Sequence, residues 1–255
     1  MPQLADSHVH LDDPRFDADR DAVIQRARAA GVTLQVVPGV DAASWTRIQA
    51  LCKPGSGLFP AWGMHPMFMH VHRDEDLTAL SQWLETKRPV AVGEIGLDFH
   101  AENHDAERQR NYFRKQLTLA RDFDLPVILH ARAAMDELTT TLRHMGGLRG
   151  VVHSFSGSEQ QAEQLWKIGF HLGIGGPVTY ERAQRLRKIV AKMPIEYLLL
   201  ESDAPDQPGA SHRGQRNEPS YIPDVLRCIA ELRNEDPADI AAATTANTRR
   251  LFGIN

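Results

Sequence analysis

Apolar positions along this chain follow two alternating rhythms. Short, nearly continuous runs are LADSH (4–8), TLQVVPG (33–39), GLFPAWGMH (57–65), PVAVGEIG (89–96), PVILH (126–130), GVVHSF (150–155), GFHLGIGG (169–176) and EYLLLESD (196–203). Bounded by turn residues, they read as buried strands. Between them apolar residues recur at helical spacing, over 18–30 with Gly31 behind it, 105–124 ahead of Pro126, 133–145, 158–168 and 180–193. Gly just past a helix and Pro before the next strand are stop signals. After a long loop at 204–219, two more helical patterns cover 220–232 and 237–251.

Eight strands alternating with helices predict a single domain over residues 1–255, an α/β fold of the (β/α)8 TIM barrel type. A doubly wound open sheet would more often place a glycine-rich nucleotide turn after its first strand, and DSHVHLDD is not one. With 24% charged and 42% apolar residues, the composition is that of an ordinary globular protein. The net charge of −4, from 33 acidic against 29 basic residues, argues against tight binding driven by phosphate neutralisation alone. It leaves room for a nuclease whose metal ions bring positive charge to the substrate. Cys52 and Cys228 form no framework and fit a reducing compartment. PQLADSH lacks the basic region and long apolar run of a signal peptide, and no stretch approaches the roughly 18 apolar residues of a membrane helix. The expectation is a cytoplasmic monomer without membrane contact.

Polar residues sharpen this picture. In such a barrel, catalytic groups sit at the C-terminal ends of the strands. His8 and His10 end the first predicted strand, His65 the third, Glu94 the fourth, His130 the fifth, His153 the sixth and Asp203 the eighth. Any one histidine is more often a satisfied polar residue than a ligand. Scattered core histidines, however, would not gather at one end of successive strands. His8 and His10, two apart in an extended segment, point to the same side and can grip one ion. Glu94 lies between small residues in VGEIG, which is expected to leave space for a cation beside its carboxylate. Four imidazoles and two carboxylates exceed one tetrahedral structural zinc and suit two divalent ions sharing a carboxylate. Nitrogen-rich ligation favours zinc or another transition metal over calcium; magnesium and manganese stay open.

The segments DSHVHLD, GMHP, VGEIGLDF, LPVILHAR, VVHSFSGS, LLLESDAP and GQRNEP, in this order between Asp6 and Pro219, resemble the TatD family of metal-dependent deoxyribonucleases, and the tail NTRRLFG is also similar. The resemblance implies that His8, His10, Glu94 and Asp203 hold one metal, with Glu94 bridging to a second on His130 and His153. The implied activity is phosphodiester hydrolysis of DNA, from a 3′ end, by water activated between two metals. Departures from the family pattern at Met67, His70, His72, His100, Ala133 and Ala134 leave those ligands intact and fall where substrate would be contacted.

Asp203 and Glu94 are the expected catalytic groups, Asp203 accepting the proton of the attacking water. Glu201 is placed to orient His8 or His10 from behind. His65, Arg132, Arg213 and Arg216 are candidate phosphate contacts, since arginine offers paired donors to phosphate oxygens. Two other readings stand beside the nuclease. A metal-dependent amide, lactone or ester hydrolase could use the same barrel, but relatives of that kind bridge their metals with a modified lysine on the fourth strand, and PVAVGEIGLDFH has none. A non-catalytic binding barrel would be supported by a lost ligand, and none is missing.

Overall fold

Residues 3–102 and 104–255 are described by the computed structural model. Its strands are β1 (Leu4–Asp6), β2 (Val32–Pro38), β3 (Leu58–Trp62), β4 (Ala91–Asp98), β5 (Val127–Arg132), β6 (Gly150–Val152), β7 (Phe170–Ile174) and β8 (Leu198–Leu200). Each pairs in parallel with the next in sequence order, making one eight-stranded sheet. The Ser7 N–H donates to the Leu200 carbonyl at 2.9 Å and the Asp203 N–H to the His8 carbonyl at 2.9 Å, which brings β8 back to β1. The chain is a (β/α)8 barrel.

Helices α1 (Arg20–Ala29), α2 (Ala42–Leu51), α3 (Asp74–Lys87), α4 (Ala106–Asp122), α5 (Met135–Met145), α6 (Glu159–Lys167), α7 (Gln184–Lys192) and α8 (Ile222–Arg233) follow the strands, and α9 (Pro237–Phe252) ends the fold. Their starts follow from capping chemistry. The Asp105 carboxylate accepts from the Arg108 N–H at 2.9 Å, and Ser158 and Gln161 cap one another reciprocally at α6. Several helices begin later than their sequence pattern, α1, α5 and α8 by two residues and α7 by four. Ala133 has a left-handed φ of 53°, so α5 waits until Met135, and a 3-10 turn at Gly176–Thr179 delays α7. No helix among the described residues is long and apolar enough to cross a membrane.

Two apolar layers fix the barrel. The larger packs helices against strands and includes Trp45, Trp62, Phe113, Leu129, Phe170 and Ile229. The smaller joins Ala5, Val36, Ala61, Ala91, Ile128, Val151 and Leu199, drawn from seven strands, with Leu251, Phe252 and Ile254 from the C-terminal end. That second group contains strand residues and chain end only, so it fills the barrel interior with a floor made by the end of α9. Polar side chains occupy the opposite end.

β1, β3, β6, β7 and β8 are shorter than the runs that predicted them. β8 covers three residues, and Asp203 lies beyond it in a left-handed conformation with φ 55°. His65 likewise follows β3, opening a 3-10 turn at Pro66–Phe68. Both residues leave the ladder, which frees their side chains from strict alternation and lets them turn over the mouth. β4 behaves in the opposite way. It runs past Glu94 to Asp98, with a register irregularity between Val92 and Ile95.

Candidate metal centre

Glu94 enters the barrel from β4 with 1% of its surface exposed. An uncompensated carboxylate there would cost several kcal/mol, on the order given for buried unpaired ions. Five imidazoles surround it. His8 Nε2 at 3.2 Å and His10 Nε2 at 3.5 Å face Oε2. His153 Nε2 at 2.8 Å, His65 Nε2 at 2.9 Å and His130 Nδ1 at 3.2 Å face Oε1. Asp203 joins the first side, its Oδ1 3.5 Å from His8 Nε2 and 3.7 Å from His10 Nε2. Each oxygen of Glu94 therefore has its own set of donors.

These separations suit cations. Atoms held about 2.0–2.2 Å from one ion at tetrahedral angles lie about 3.3–3.6 Å from each other. On the Oε2 side, His8, His10, Glu94 and Asp203 place donor atoms 3.1–3.7 Å apart. On the Oε1 side, His130 Nδ1 and His153 Nε2 are 3.3 Å apart and lie 3.2 and 2.8 Å from the carboxylate. The residues fit divalent ions: the groups His8–Glu94–His153, His8–His10–Asp203 and His65–Glu94–His130 each bring three ligand atoms within metal-binding proximity.

Charge points to the same two places. Burial works against a protonated His10, but its hydrogen bond and attraction to Glu94, with Asp203 behind, carry it up to about 9. His153 is opposed by burial too, and Glu94 carries it to about 10. One of these imidazoles lies on each oxygen of Glu94. Burial alone would raise Glu94; His153, His65 and His8 hold it well below the ordinary glutamate range.

His65 shares a burial-lowered pKa with His8 but differs from it in its hydrogen bonds. Its Nδ1 accepts the Met67 N–H at 3.1 Å, and burial pushes its pKa down to about 4. A neutral ring with Nδ1 so engaged carries its proton on Nε2, which then donates to Glu94 Oε1 at 2.9 Å. His65 presents an N–H to the site, not a lone pair. It is buried at 5% exposure, its loop held by His72 Nε2 at 2.9 Å from the His65 carbonyl.

Residues 5–253 match the family described as TatD related DNase. The chain belongs to that family. Among TatD-family relatives, the uncharacterized metal-dependent hydrolase YjjV of Escherichia coli (strain K12) is 44% identical, over 99% of this chain and 98% of its own length. The 3′-5′ ssDNA/RNA exonuclease TatD of Cronobacter sakazakii is 36% identical, over 98% of this chain and 97% of its own length. The crystal structure of Escherichia coli YjjV matches with a TM-score of 0.95 at 42% identity, covering 99% of this chain and 98% of that one. The chain is thus a metal-dependent hydrolase of the TatD family.

Several side chains of this TatD-family site stand elsewhere than the sequence suggested. Glu201 does not approach His8 or His10 as its nearest imidazole; its Oε1 lies 3.9 Å from His153 Nδ1 and accepts the Ser154 N–H at 2.5 Å. The small residues near Glu94 make room for backbone instead of for an ion. A Cβ on Gly63 would strike the Gly93–Glu94 peptide, one on Gly93 would strike Ile128, and one on Gly96 would strike the His130 backbone. Arg216 is engaged far from the centre, with Nη1 and Nη2 donating to Asp19 at 2.8 and 2.7 Å and its guanidinium over Phe16. It ties the long loop to the start of α1. Arg132 and Arg213 are exposed and make no side-chain hydrogen bond or ion pair among the described residues.

One TatD-site residue escaped the sequence reading. Asp98 Oδ2 lies 2.9 Å from His130 Nε2, so Asp98 accepts the hydrogen bond that keeps the proton on Nε2 and leaves Nδ1 facing Glu94. Burial disfavours its charge, but His130 and the His100 N–H hold its carboxyl below the usual aspartate range. Gln109 fixes the strand here, its side chain bonding both the N–H and the carbonyl of Asp98 at 2.8 Å. The signal was present: Glu94, Gly96 and Asp98 share one face by strand alternation.

Proposed function

We propose that this chain hydrolyses phosphodiester bonds of DNA, removing nucleotides from a 3′ end, with two divalent ions flanking Glu94. The observation that carries the reading is the division of donors between the Glu94 oxygens, His8, His10 and Asp203 on one side, His130 and His153 on the other. Paired ions stabilise the attacking and leaving oxygens of an in-line displacement. The name of the Cronobacter relative, an exonuclease acting on ssDNA and RNA, supports the substrate class.

Bound ions supply Lewis acidity toward phosphate oxygens and lower the pKa of water at the site to near neutrality. The chain's own residues do the rest. Asp203 stands at the mouth with 7% exposure and serves as proton acceptor. Burial raises its basicity, and attraction to His153 and His10 opposes that rise. Glu94 orients both donor sets at once. Arg132 and Arg213, unpaired on the rim, supply phosphate contacts. Met67 and Val71, exposed at 55% and 46%, lie on the segment after His65 and give the rim an apolar face on which an unstacked base can rest.

Two measurements test this reading. Reconstituted protein should approach two equivalents of zinc or manganese, and Glu94→Gln should lose most activity because a neutral amide bridges cations poorly. End-labelled oligonucleotides should shorten from the 3′ end. A stoichiometry at or below one across zinc, manganese and magnesium overturns the paired site. Intact strands beside turnover of esters or lactones overturn the nuclease.

A further inference from the structure

β7 runs into GIGG (173–176), which, unlike the segments that follow β6 and β8, brings no titratable side chain to the centre. Its bareness has a steric cause. A Cβ on Gly173 would overlap the Glu201 carboxylate, and one on Gly176 would overlap the Gln207 carbonyl. Residues from β6 and from the loop after β8 meet over this gap. Ser154, next to His153, donates from its N–H to Glu201 Oε1 at 2.5 Å and from its hydroxyl to Gln207 Oε1 at 2.7 Å. Gln207 Nε2 then donates to Asp203 Oδ2 at 2.5 Å. Asp203 Oδ1 is the oxygen left facing His8 and His10, at 3.5 and 3.7 Å.

The direction of this chain is fixed by chemistry. An ionised Asp203 can only accept, so the amide must turn its NH2 toward it and its oxygen toward Ser154, which must donate. All three residues hold left-handed backbones, with φ 47° at Ser154, 55° at Asp203 and 53° at Gln207. Such conformations are disfavoured for side chains with a Cβ and persist when surrounding bonds over-determine them. The loop is also pinned on both sides of Gln207. The Asp206 N–H bonds the Asp203 carbonyl at 2.9 Å, Asn217 Nδ2 the Asp206 carbonyl at 2.8 Å, and the Tyr180 hydroxyl the Pro208 carbonyl at 3.1 Å.

We propose that Gln207, oriented by Ser154, is a positioning residue that holds Asp203 Oδ2 out of the donor cluster, so that Asp203 meets the cation through Oδ1 alone. The relay links the two sides of Glu94, since Ser154 adjoins His153 and Gln207 grips Asp203. This inference rests on the metal-site reading above, but not on the identity of the substrate.

Cobalt(II) is the probe, because its visible absorption falls as coordination number rises from four. Gln207→Met keeps the length of the side chain and removes both hydrogen bonds. It should lower cobalt affinity of the Asp203 side by about 10-fold, the lower end for loss of a ligand's supporting hydrogen bond. It should also weaken the visible bands as the freed carboxylate turns both oxygens inward. Ser154→Ala should shift affinity and spectrum the same way by less, and the double variant should match Gln207→Met alone. If Gln207→Met does not fold, Ser154→Ala carries the test by its own spectrum. Wild-type spectra and affinity in every folded variant overturn the proposal, as do additive effects in the double variant. If the wild-type protein binds two cobalt ions but cleaves no nucleic acid, while the variants show these shifts, the proposed function is overturned and the role of Gln207 upheld.

Discussion

Asp98 offers a test of the centre that needs no substrate. His130 can present Nδ1 to a cation only if its proton stays on Nε2, and Asp98 Oδ2 at 2.9 Å is the group that keeps it there. A hydrogen bond to a charged group contributes about 1.5–3 kcal/mol and a neutral one about 0.5–1.5 kcal/mol. Asp98→Asn retains an acceptor oxygen but not the charge, a loss of about 1–1.5 kcal/mol, or roughly 5–13-fold in affinity for the ion on His130 and His153. Asp98→Ala removes the bond altogether, which corresponds to roughly 10–150-fold. The ion on His8, His10 and Asp203 should keep its affinity in both variants, because Asp98 touches none of these side chains. Zinc titration against a competing chelator, fitted to two sites, separates the two. Melting temperature controls for the strand, which Gln109 secures through the Asp98 backbone and not its side chain. Equal weakening of both ions, or none of either, would refute the assignment of Asp98 to His130.

Asp203→Asn keeps the shape of the carboxylate and removes the base, so turnover should drop by about 10²–10⁴-fold. Rate and metal content measured on the same sample should show the His130–His153 side still occupied. Arg132→Ala should weaken oligonucleotide binding and lower the slope of log affinity against log salt by about 1, as for one lost phosphate contact. Arg216→Ala should leave that slope unchanged and lower the melting temperature, since its guanidinium is committed to Asp19. His171, buried on β7 and pushed down from 6.5 to about 4, gives a pH dependence of stability. The unfolded chain binds its proton first, so the stability from the neutral ring is complete above 6.5 and falls as pH drops toward 4. The loss totals roughly 3 kcal/mol. Denaturant melts of His171→Leu and the parent should diverge across that window; parallel curves would show that the ring titrates freely.

What the chain's pattern discloses is governed by sequence distance. The alternation of strand and helix is local, and so are the caps at Asp105 and Ser158, which is why the barrel and most helix limits are readable from apolar periodicity and short-range hydrogen bonding. The positions of His8, Glu94, His130 and Asp203 near the strand ends are also local, and the structure brings them within 3.7 Å of one another or of a shared partner. Arg132 and Arg216 look alike in sequence, each a loop arginine near a motif. They differ because Asp19 meets Arg216 across 197 positions, a pairing that periodicity cannot carry.

Sequence distance also separates the histidines from Glu201, Asp98 and Gln207. The histidines beside Glu94 are recognisable as a set, since imidazoles gather at one end of successive strands. A carboxylate or amide that orients a histidine or an aspartate is recognisable only by its partner. Asp98 reaches His130 across two neighbouring strands, and Gln207 reaches Asp203 within a loop whose conformation depends on Ser154 from another strand. Four of the seven non-glycine residues with positive φ among those described, Ala133, Ser154, Asp203 and Gln207, ring this mouth, and the other three follow helix ends. Local propensity opposes the backbone at those four positions, so tertiary contacts must decide it. The motif residues therefore declare the chemistry, and the residues that set its geometry become visible only when β4 meets β5 and the loop after β8 meets β6.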